Sequence, residues 1–192
     1  MDNLGSIEVI CGPMFAGKTE ELIRRTKRME YAKKKFLIFK PSIDNRYKED
    51  EVVSHNQKSM KAINIDINNP KEIINYVTDD LDAIVVDEVQ FFDKSIIPLL
   101  TTYADKGLRV ICAGLDLDFR GEPFGIMPEI LALAEHVTKL TAICMCCGKE
   151  ATRTQRLINH EPAYYDDPII MVAASEKYEA RCRKCHVVKH HE

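Results

Sequence analysis

The stretch ICGPMFAGKTEEL, residues 10–22, decides the fold of this 192-residue chain. Residues 12–19 match the pattern G-x-x-x-x-G-K-[ST] at every fixed position. The preceding SIEVIC (6–11) is apolar and β-branched, which predicts a buried strand. The following KTEELIRRTKRMEYAKKK carries apolar residues at helical spacing, which predicts an amphipathic helix. A strand, this loop and a helix in that order predict a phosphate-binding loop.

The residue types in the loop fit the binding of a nucleoside triphosphate. Glycines let backbone N–H groups converge on phosphate oxygens, and the helix N-terminus adds partial positive charge. Lys18 can reach the β- and γ-phosphates, and the Thr19 hydroxyl can hold Mg²⁺. The triphosphate-binding residues expected here are Gly12, Pro13, Met14, Phe15, Ala16, Gly17, Lys18 and Thr19.

Apolar segments alternate with helical ones as far as residue 143. Further strands are predicted at 36–40, 82–88, 108–115 and 137–143. Helices are predicted at 70–80, 94–107 and 128–136. Pro41 is expected to stop the second strand, residues 41–61 to form a surface loop or hairpin, and Pro98 to kink its helix or lie near its start. This alternation predicts an α/β fold of the P-loop NTPase type, with a mainly parallel sheet flanked by helices.

Two acids, Asp87 and Glu88, follow the apolar strand AIVV. Ligands of parallel sheets bind outside the carboxyl ends of the strands, so both acids are expected to face the phosphate loop. Asp87 has the character of a Walker B aspartate that holds Mg²⁺, and Glu88 is placed to take a proton from an attacking oxygen. The alternative is that both are solvated strand-end residues. The attacking oxygen could belong to water, giving an ATPase, or to an alcohol, giving a kinase.

A second pocket is expected in GLDLDFRGEPFG, residues 114–125, because this segment leaves a strand at the same edge. Phe119 and Phe124 could stack on a flat ring or could anchor the loop in the core, and the pattern alone does not separate the two.

The composition is that of an ordinary globular protein, with 45% hydrophobic and 30% charged residues and a net charge of −3. Nothing in it indicates general affinity for polyanions or membranes. No apolar run reaches the roughly 18 residues that span a bilayer, and the N-terminus has no signal-peptide pattern, so a cytoplasmic location is expected.

Five of the seven cysteines lie in the last quarter of the chain. The pairs Cys144-x-x-Cys147 and Cys182-x-x-Cys185 predict a structural zinc ribbon with four thiolate ligands. Cys146 could compete with Cys147, and His186 with Cys185. We expect a domain boundary near residue 142, between a P-loop ATP-binding domain (1–141) and a zinc-ribbon domain (142–192). The residues between the two pairs, by themselves, favour an ordinary ribbon hairpin.

Six segments together resemble the zinc-containing type II thymidine kinases, over nearly the whole chain. They are GPMFAGKTEELIRR near the start, KPSIDNRY (40–47), DEVQFF (87–92), LDLDFRGEPFG (115–125), LTAICMCCGKEATRTQR (140–156) and EKYEARCRKC (176–185). The resemblance implies transfer of the γ-phosphate of ATP to the 5′-hydroxyl of thymidine, and of deoxyuridine, in nucleotide salvage. It also implies ATP, Mg²⁺ and structural Zn²⁺, a homotetramer and feedback inhibition by dTTP.

The resemblance also implies residue roles. Glu88 would be the general base, and Asp44, Arg46, Asp87 and Gln90 would serve the triphosphate and its metal. The loop between the cysteine pairs would close over the base, in place of the ordinary hairpin. Substrate contacts would come from Met14, Leu115, Phe119, Phe124, Thr154, Ile169, Ile170, Met171, Val172, Ala173 and Tyr178.

The competing hypothesis is a zinc-ribbon P-loop ATPase that acts on nucleic acid. The net charge of −3 and the lack of a basic stripe argue against it, so neither nucleic acid nor membrane is expected as a partner.

Overall fold

The structure, a computed structural model, describes residues 5–42, 51–53, 59–170 and 176–191. Its strands are β1 (Ser6–Cys11), β2 (Phe36–Ser42), β3 (Glu51–Val53), β4 (Ser59–Lys61), β5 (Ile63–Asp66), β6 (Ala83–Val86), β7 (Arg109–Gly114), β8 (His136–Lys139), β9 (Ala142–Ile143), β10 (Glu150–Ala151), β11 (Arg153–Ile158), β12 (Glu161–Pro162) and β13 (Glu176–Arg181). Its α-helices are α1 (Lys18–Tyr31), α2 (Ile96–Asp105) and α3 (Met127–Leu133), with 3₁₀ helices at Pro70–Asn75 and Val89–Phe91.

A parallel sheet with the strand order β5-β2-β6-β7-β1-β8 forms the centre of the molecule. Successive residues of its strands point to opposite faces: Val110 and Cys112 enter one apolar core, and Ile111 and Ala113 enter the other. Residues of α2 and α3 complete the first core, and residues of α1 complete the second. The predicted α/β fold with helices flanking a mainly parallel sheet is therefore confirmed.

The strand order brings three predicted functional segments to one edge. The strands β6, β7 and β1 are neighbours and run parallel. The phosphate loop follows β1, the two acids follow β6, and the segment 115–125 follows β7. Because all three leave the carboxyl ends of adjacent strands, they surround a common crevice.

The prediction that Pro41 stops the second strand is wrong, because β2 continues through Pro41 to Ser42. Pro41 is paired with Ile65 of β5, while the pairing of β2 with β6 ends at Phe39. Beyond Phe39 the strand has a neighbour on one side, where a missing backbone N–H is tolerated.

The predicted strand 137–143 is two strands with different partners. Its first part, β8, is the edge of the parallel sheet beside β1, and its second part, β9, pairs antiparallel with β10. The apolar pattern runs through both, so periodicity could not reveal the change of partner. The strand β5 was not predicted because it has four residues in a polar setting, and the predicted helix 70–80 is the shorter 3₁₀ helix.

Where a surface loop or hairpin is expected at residues 41–61, the described residues include the antiparallel pair β3 and β4. Pro98 lies in the first turn of α2, which begins at Ile96, so it is near the start of the helix rather than at a kink. No helix among the described residues combines the length and apolarity needed to cross a membrane.

After β8 the chain forms two small antiparallel sheets, β9–β10 and β12-β11-β13. A small core of Ala142, Cys144, Ala151 and Ala180 lies between them, and Ala16 of the phosphate loop packs against it. The C-terminal sheets therefore contact the nucleotide-binding loop directly.

Candidate active site

The loop between β1 and α1 has the backbone of a phosphate cradle. Gly12 has φ 141°, and a Cβ at this position would lie 2.3 Å from the carbonyl oxygen of Leu140. Gly17 has φ 83° and caps the N-terminus of α1 in the left-handed conformation. Both positions therefore require glycine, for close approach at the first and for positive φ at the second.

Lys18 lies in the crevice at the first turn of α1. Its Nζ donates a hydrogen bond to the carbonyl oxygen of Pro13 at 2.6 Å, so the ammonium group is held against the loop. Burial lowers the pKa of Lys18, while the nearby charge of Asp87 opposes this shift. Thr19 follows in the same turn and lines the same cavity.

The two acids lie opposite the loop. Asp87 Oδ1 accepts a hydrogen bond from the backbone N–H of Glu88 at 2.9 Å. Burial raises the pKa of Asp87. Desolvation by the surrounding protein is the larger cause, and the charge of Asp87 the next, of a rise in the pKa of Glu88 to about 7. Glu88 is nevertheless open to the solvent of the cavity, and its backbone is left-handed with φ 48°. Asp87 and Glu88 line the same cavity as Lys18, which is the placement that the functional interpretation of these acids expects.

A cavity of about 550 Å³ joins the loop, the acids and the aromatic segment. This volume is in the range of a small-molecule site. The predicted site residues that line it are Met14, Phe15, Gly17, Lys18, Thr19, Asp87, Glu88, Gln90, Leu115, Phe119, Phe124, Thr154, Ile169 and Tyr178. Residues from the phosphate loop and from the last quarter of the chain are thus brought to one site.

The phenylalanines of segment 115–125 are buried in the core and also line the cavity. Phe119 and Phe124 are 5% and 8% exposed, so they anchor the segment in the core. They also line the cavity, where Phe124 packs edge-on against Phe91 at 5.4 Å between ring centroids. The side-chain oxygen of Gln90 accepts a hydrogen bond from the N–H of Leu115 at 3.3 Å, which fixes the start of the segment.

Some predicted site residues either do not line the cavity or lie outside the described part of the chain. Asp44, Arg46, Met171, Val172 and Ala173 lie outside the described residues. Gly12, Pro13 and Ala16 belong to the loop but do not line the cavity, and Ile170 is exposed and does not line it either.

The structure adds four residues to the cavity wall that were not among the predicted site residues, namely Glu20, Phe91, Gly114 and Arg156. Arg156 is 1% exposed, in the polar strand RTQRLI. No periodic or compositional signal marks a buried arginine in such a strand, since arginine is almost always exposed. Phe91 belongs to DEVQFF, one of the segments that carry the family resemblance. The resemblance did not imply a substrate contact for this residue.

The four predicted zinc ligands are brought together. The Sγ atoms of Cys144, Cys147, Cys182 and Cys185 all lie within 4.8 Å of one another. The Cys147 and Cys182 Sγ atoms are 3.7 Å apart. A tetrahedral zinc site with Zn–S bonds of about 2.3 Å has sulfur–sulfur edges of about 3.8 Å. The residues present therefore fit a structural zinc ion.

The two alternative ligands are not in this group. Cys146 is exposed, and its thiol is not one of the four that lie within 4.8 Å of one another. His186 Nε2 lies 2.8 Å from the carbonyl oxygen of Phe119, an acceptor, so this nitrogen carries the proton in that contact. His186 thus ties the end of the second cysteine pair to the aromatic segment instead of replacing Cys185.

A phosphate loop, a pair of strand-end acids and an aromatic wall around one cavity define a P-loop nucleotide-dependent enzyme, here with an adjoining four-cysteine metal site. The family model described as thymidine kinase matches residues 5–186 of the chain. The chain belongs to the thymidine kinase family, and it is accordingly an ATP-dependent kinase that phosphorylates thymidine. The resemblance seen in the sequence is confirmed.

Proposed function

We propose that the enzyme transfers the γ-phosphate of ATP to the 5′-hydroxyl of thymidine, and also of deoxyuridine, and that its dTMP product serves pyrimidine deoxynucleotide salvage. The observation that carries this proposal is the common cavity: a phosphate loop at one end, an aromatic wall at the other, and the carboxylate of Glu88 facing it. An aromatic wall beside the γ-phosphate position favours a flat organic acceptor over water.

The triphosphate end would be formed by residues 12–19, with Asp44, Arg46 and Gln90 as further contacts. Lys18 is the cation of this end, and its Nζ is already directed to the loop by Pro13. Thr19 and Asp87 would hold Mg²⁺, as a hydroxyl and a carboxylate facing one cavity suit a hard cation. The metal would neutralise charge that develops on the phosphate oxygens.

Glu88 would act as general base. In the in-line transfer, the 5′-oxygen bonds to the γ-phosphorus as the bond to the β-phosphate oxygen breaks, and Glu88 accepts the hydroxyl proton. The pKa of about 7 supports this role, because a base with a pKa near the working pH is both ionised and a good proton acceptor.

The nucleoside end would read thymine by backbone groups of residues 169–173 and by apolar contacts. Met14, Leu115, Phe119, Phe124, Thr154 and Tyr178 would surround the base, with Ile169–Ala173 closing over it. Backbone readout distinguishes the hydrogen-bonding edge of a base and tolerates small changes at its 5-position.

We further propose that residues 1–141 bind ATP and that residues 142–192 form a zinc-ribbon domain that supports the nucleoside end. The resemblance to the type II enzymes supports a homotetramer, feedback inhibition by dTTP and a cytoplasmic location. The exposed edge strand β8, with Val137 49% exposed, is compatible with contacts between subunits.

The decisive test is phosphoryl transfer from γ-labelled ATP to each of the common deoxynucleosides. We expect thymidine and deoxyuridine to be good acceptors and deoxycytidine to be poor, because its donor and acceptor pattern differs at the base edge. Deoxycytidine turnover equal to that of thymidine would refute the proposed readout. ATP hydrolysis stimulated by DNA, without a nucleoside monophosphate product, would instead favour the nucleic-acid ATPase.

A further inference from the structure

Arg156 is a buried arginine in the wall of the cavity. It lies in β11, is 1% exposed, and stands directly opposite Tyr178 of β13 in the antiparallel pairing. The sequence motifs did not imply any role for Arg156.

The Arg156 guanidinium contacts three separate parts of the nucleoside end. Its Nη1 and Nη2 donate hydrogen bonds to the carbonyl oxygens of Pro168 and Ile169. Its Nε donates to the Tyr178 hydroxyl at 3.2 Å. Its Cζ lies 4.0 Å from the centroid of the Phe119 ring, in cation–π geometry. One planar group therefore joins the start of the base-covering segment, the aromatic wall and Tyr178.

The buried charge of Arg156 depends on well-placed hydrogen-bond partners. A guanidinium removed from water loses several kcal/mol of hydration unless its donors are satisfied. Here the donors are given to backbone carbonyls and a phenol, and the flat face is given to an aromatic ring. A lysine could not reproduce this, since it lacks the planar fork that reaches two adjacent carbonyls together.

The same face of β11 also supports the triphosphate end. The hydroxyl of Thr154, two residues before Arg156, accepts a hydrogen bond from the N–H of Met14 in the phosphate loop at 3.1 Å. Residues two apart in a strand share a face. Two residues on one face of β11 therefore contact different ends of the cavity. Thr154 contacts the phosphate loop, and Arg156 contacts residues 168–169.

We infer that Arg156 is the positioning residue of the nucleoside end: it holds the residue 168–169 segment, Tyr178 and Phe119 in the arrangement that receives the base. This inference rests on the proposed function, because it assigns the base to that end of the cavity. It predicts that loss of the fork weakens nucleoside binding selectively and leaves ATP binding nearly unchanged.

The experiment compares Arg156→Lys and Arg156→Gln with the wild type. The matched control is Gln155→Ala, in the same strand but on its opposite face. Gln155 is also buried, and its amide bonds the backbone of Val187 at 2.8 Å, away from the cavity. Affinities for thymidine and for a non-hydrolysable ATP analogue are measured separately by calorimetry, beside steady-state kinetics.

We expect Arg156→Lys to raise the thymidine KM and Kd about tenfold to a hundredfold, as the loss of one or two charge-assisted hydrogen bonds would do. The Kd of this variant for the ATP analogue should stay within about twofold of the wild-type value, because the contacts of Arg156 lie at the nucleoside end and not at the phosphate loop. In the ligand-free variant, hydrogen exchange of peptides covering 163–170 should be about tenfold faster. Gln155→Ala should lower the melting temperature without changing the thymidine KM.

Three outcomes would overturn the inference. One is an unchanged thymidine KM in Arg156→Lys. Another is a parallel weakening of thymidine and ATP, matching that of Gln155→Ala, which would mean general destabilisation. The third is a raised thymidine KM with unaltered exchange at 163–170, which would mean direct contact with the base instead of positioning. If wild-type enzyme fails to phosphorylate thymidine at all, it is the proposed function that fails.

Discussion

At the scale of single residues, Glu88 combines an uncommon backbone with an uncommon acidity. Its φ of 48° and ψ of 41° place a non-glycine residue in the left-handed region, which costs about 1–3 kcal/mol. The same turn directs its carboxyl group into the cavity, next to Asp87, where its pKa rises to about 7. Strain and an unfavourable charge at one residue are typical of functional sites.

We predict that Glu88→Gln lowers kcat by about 10²–10⁴, the usual contribution of a general base. In the wild type, kcat/KM for thymidine should rise with pH until about 7 and then level off, because Glu88 must lose its proton to accept another. The measurement is steady-state kinetics from pH 5.5 to 9 with Mg²⁺ and ATP. A near-wild-type kcat in the variant would remove Glu88 as the base.

The melting temperature of Glu88→Gln as a function of pH is the control for its loss of activity. The folded state raises the pKa of Glu88 above its ordinary value of 4.5, so wild-type stability falls as pH rises from about 4.5 to about 7. Glutamine carries no such charge. Ligand-free Glu88→Gln should therefore melt at a higher temperature than wild type above pH 7, and the difference should shrink toward pH 4.5. A less stable variant at pH 8 would contradict the raised pKa of Glu88.

At the scale of elements, the phosphate loop is clamped between β1 and the chain that follows β8. The N–H of Leu140 donates to the carbonyl oxygen of Cys11 at 2.8 Å, and the Leu140 carbonyl lies against Gly12. The loop thus receives its shape from a segment far away in sequence as well as from its own glycines. A rigid cradle keeps the backbone N–H groups aligned on the phosphates.

We predict that Gly12→Ala destabilises the protein by about 2 kcal/mol or more and weakens ATP-analogue binding at least about tenfold. The reason is the overlap of the new Cβ with the Leu140 carbonyl, added to an unfavourable φ. Thermal melting and calorimetry measure the two effects.

The matched control is Gly148→Ala. Gly148 also has positive φ, 69°, but a Cβ there would meet nothing within 4 Å. It should lose only the backbone contribution, about 1–2 kcal/mol, and keep ATP affinity. Equal losses of ATP affinity in both variants would show that the overlap at Leu140 is not what shapes the cradle.

At the scale of the whole molecule, the C-terminal sheet β12-β11-β13 forms part of the cavity wall and contacts both ends of the cavity. Thr154 accepts a hydrogen bond from the phosphate loop, Arg156 donates one to the carbonyl oxygen of Pro168, and Ala16 packs against the small core that contains Cys144. The cysteine cluster fixes where β13 ends, since Cys182 follows this strand directly. A zinc ion there would act on substrate binding at a distance, through these contacts.

We predict that Cys182→Ser, or removal of zinc by a chelator, raises the thymidine KM about tenfold or more and weakens ATP binding by only a few fold. Nucleoside binding should suffer more because β13 carries Tyr178, whereas the phosphate loop keeps its own clamp at Leu140. Zinc content, thymidine kinetics and ATP-analogue affinity are measured on the same preparation.

Cys146→Ser is the matched control, because Cys146 is exposed and outside the cluster. It should retain one zinc per chain and wild-type kinetics. Full thymidine affinity in metal-free Cys182→Ser would refute the supporting role of the metal. Loss of zinc in Cys146→Ser would show that the ligand set is different.

The sequence predicted the features that depend on local spacing. The phosphate loop, the strand-end acids and the two cysteine pairs are each defined within a few residues, so their residue types and separations are enough to identify them. The predictions that failed, at Pro41 and at the strand 137–143, depend on which strand lies beside the segment. Such pairing leaves no mark on the periodicity of one strand.

By itself, then, the sequence determined an α/β fold, a triphosphate loop, a candidate base and a metal ribbon. Only the tertiary structure decided that Arg156 of β11 forms part of the cavity wall. The Met14–Thr154 hydrogen bond joins residues 140 positions apart, and Arg156 is buried in a strand whose letters are polar. The physical reason is that burial and contact between distant segments come from packing, which brings together residues that no local pattern relates.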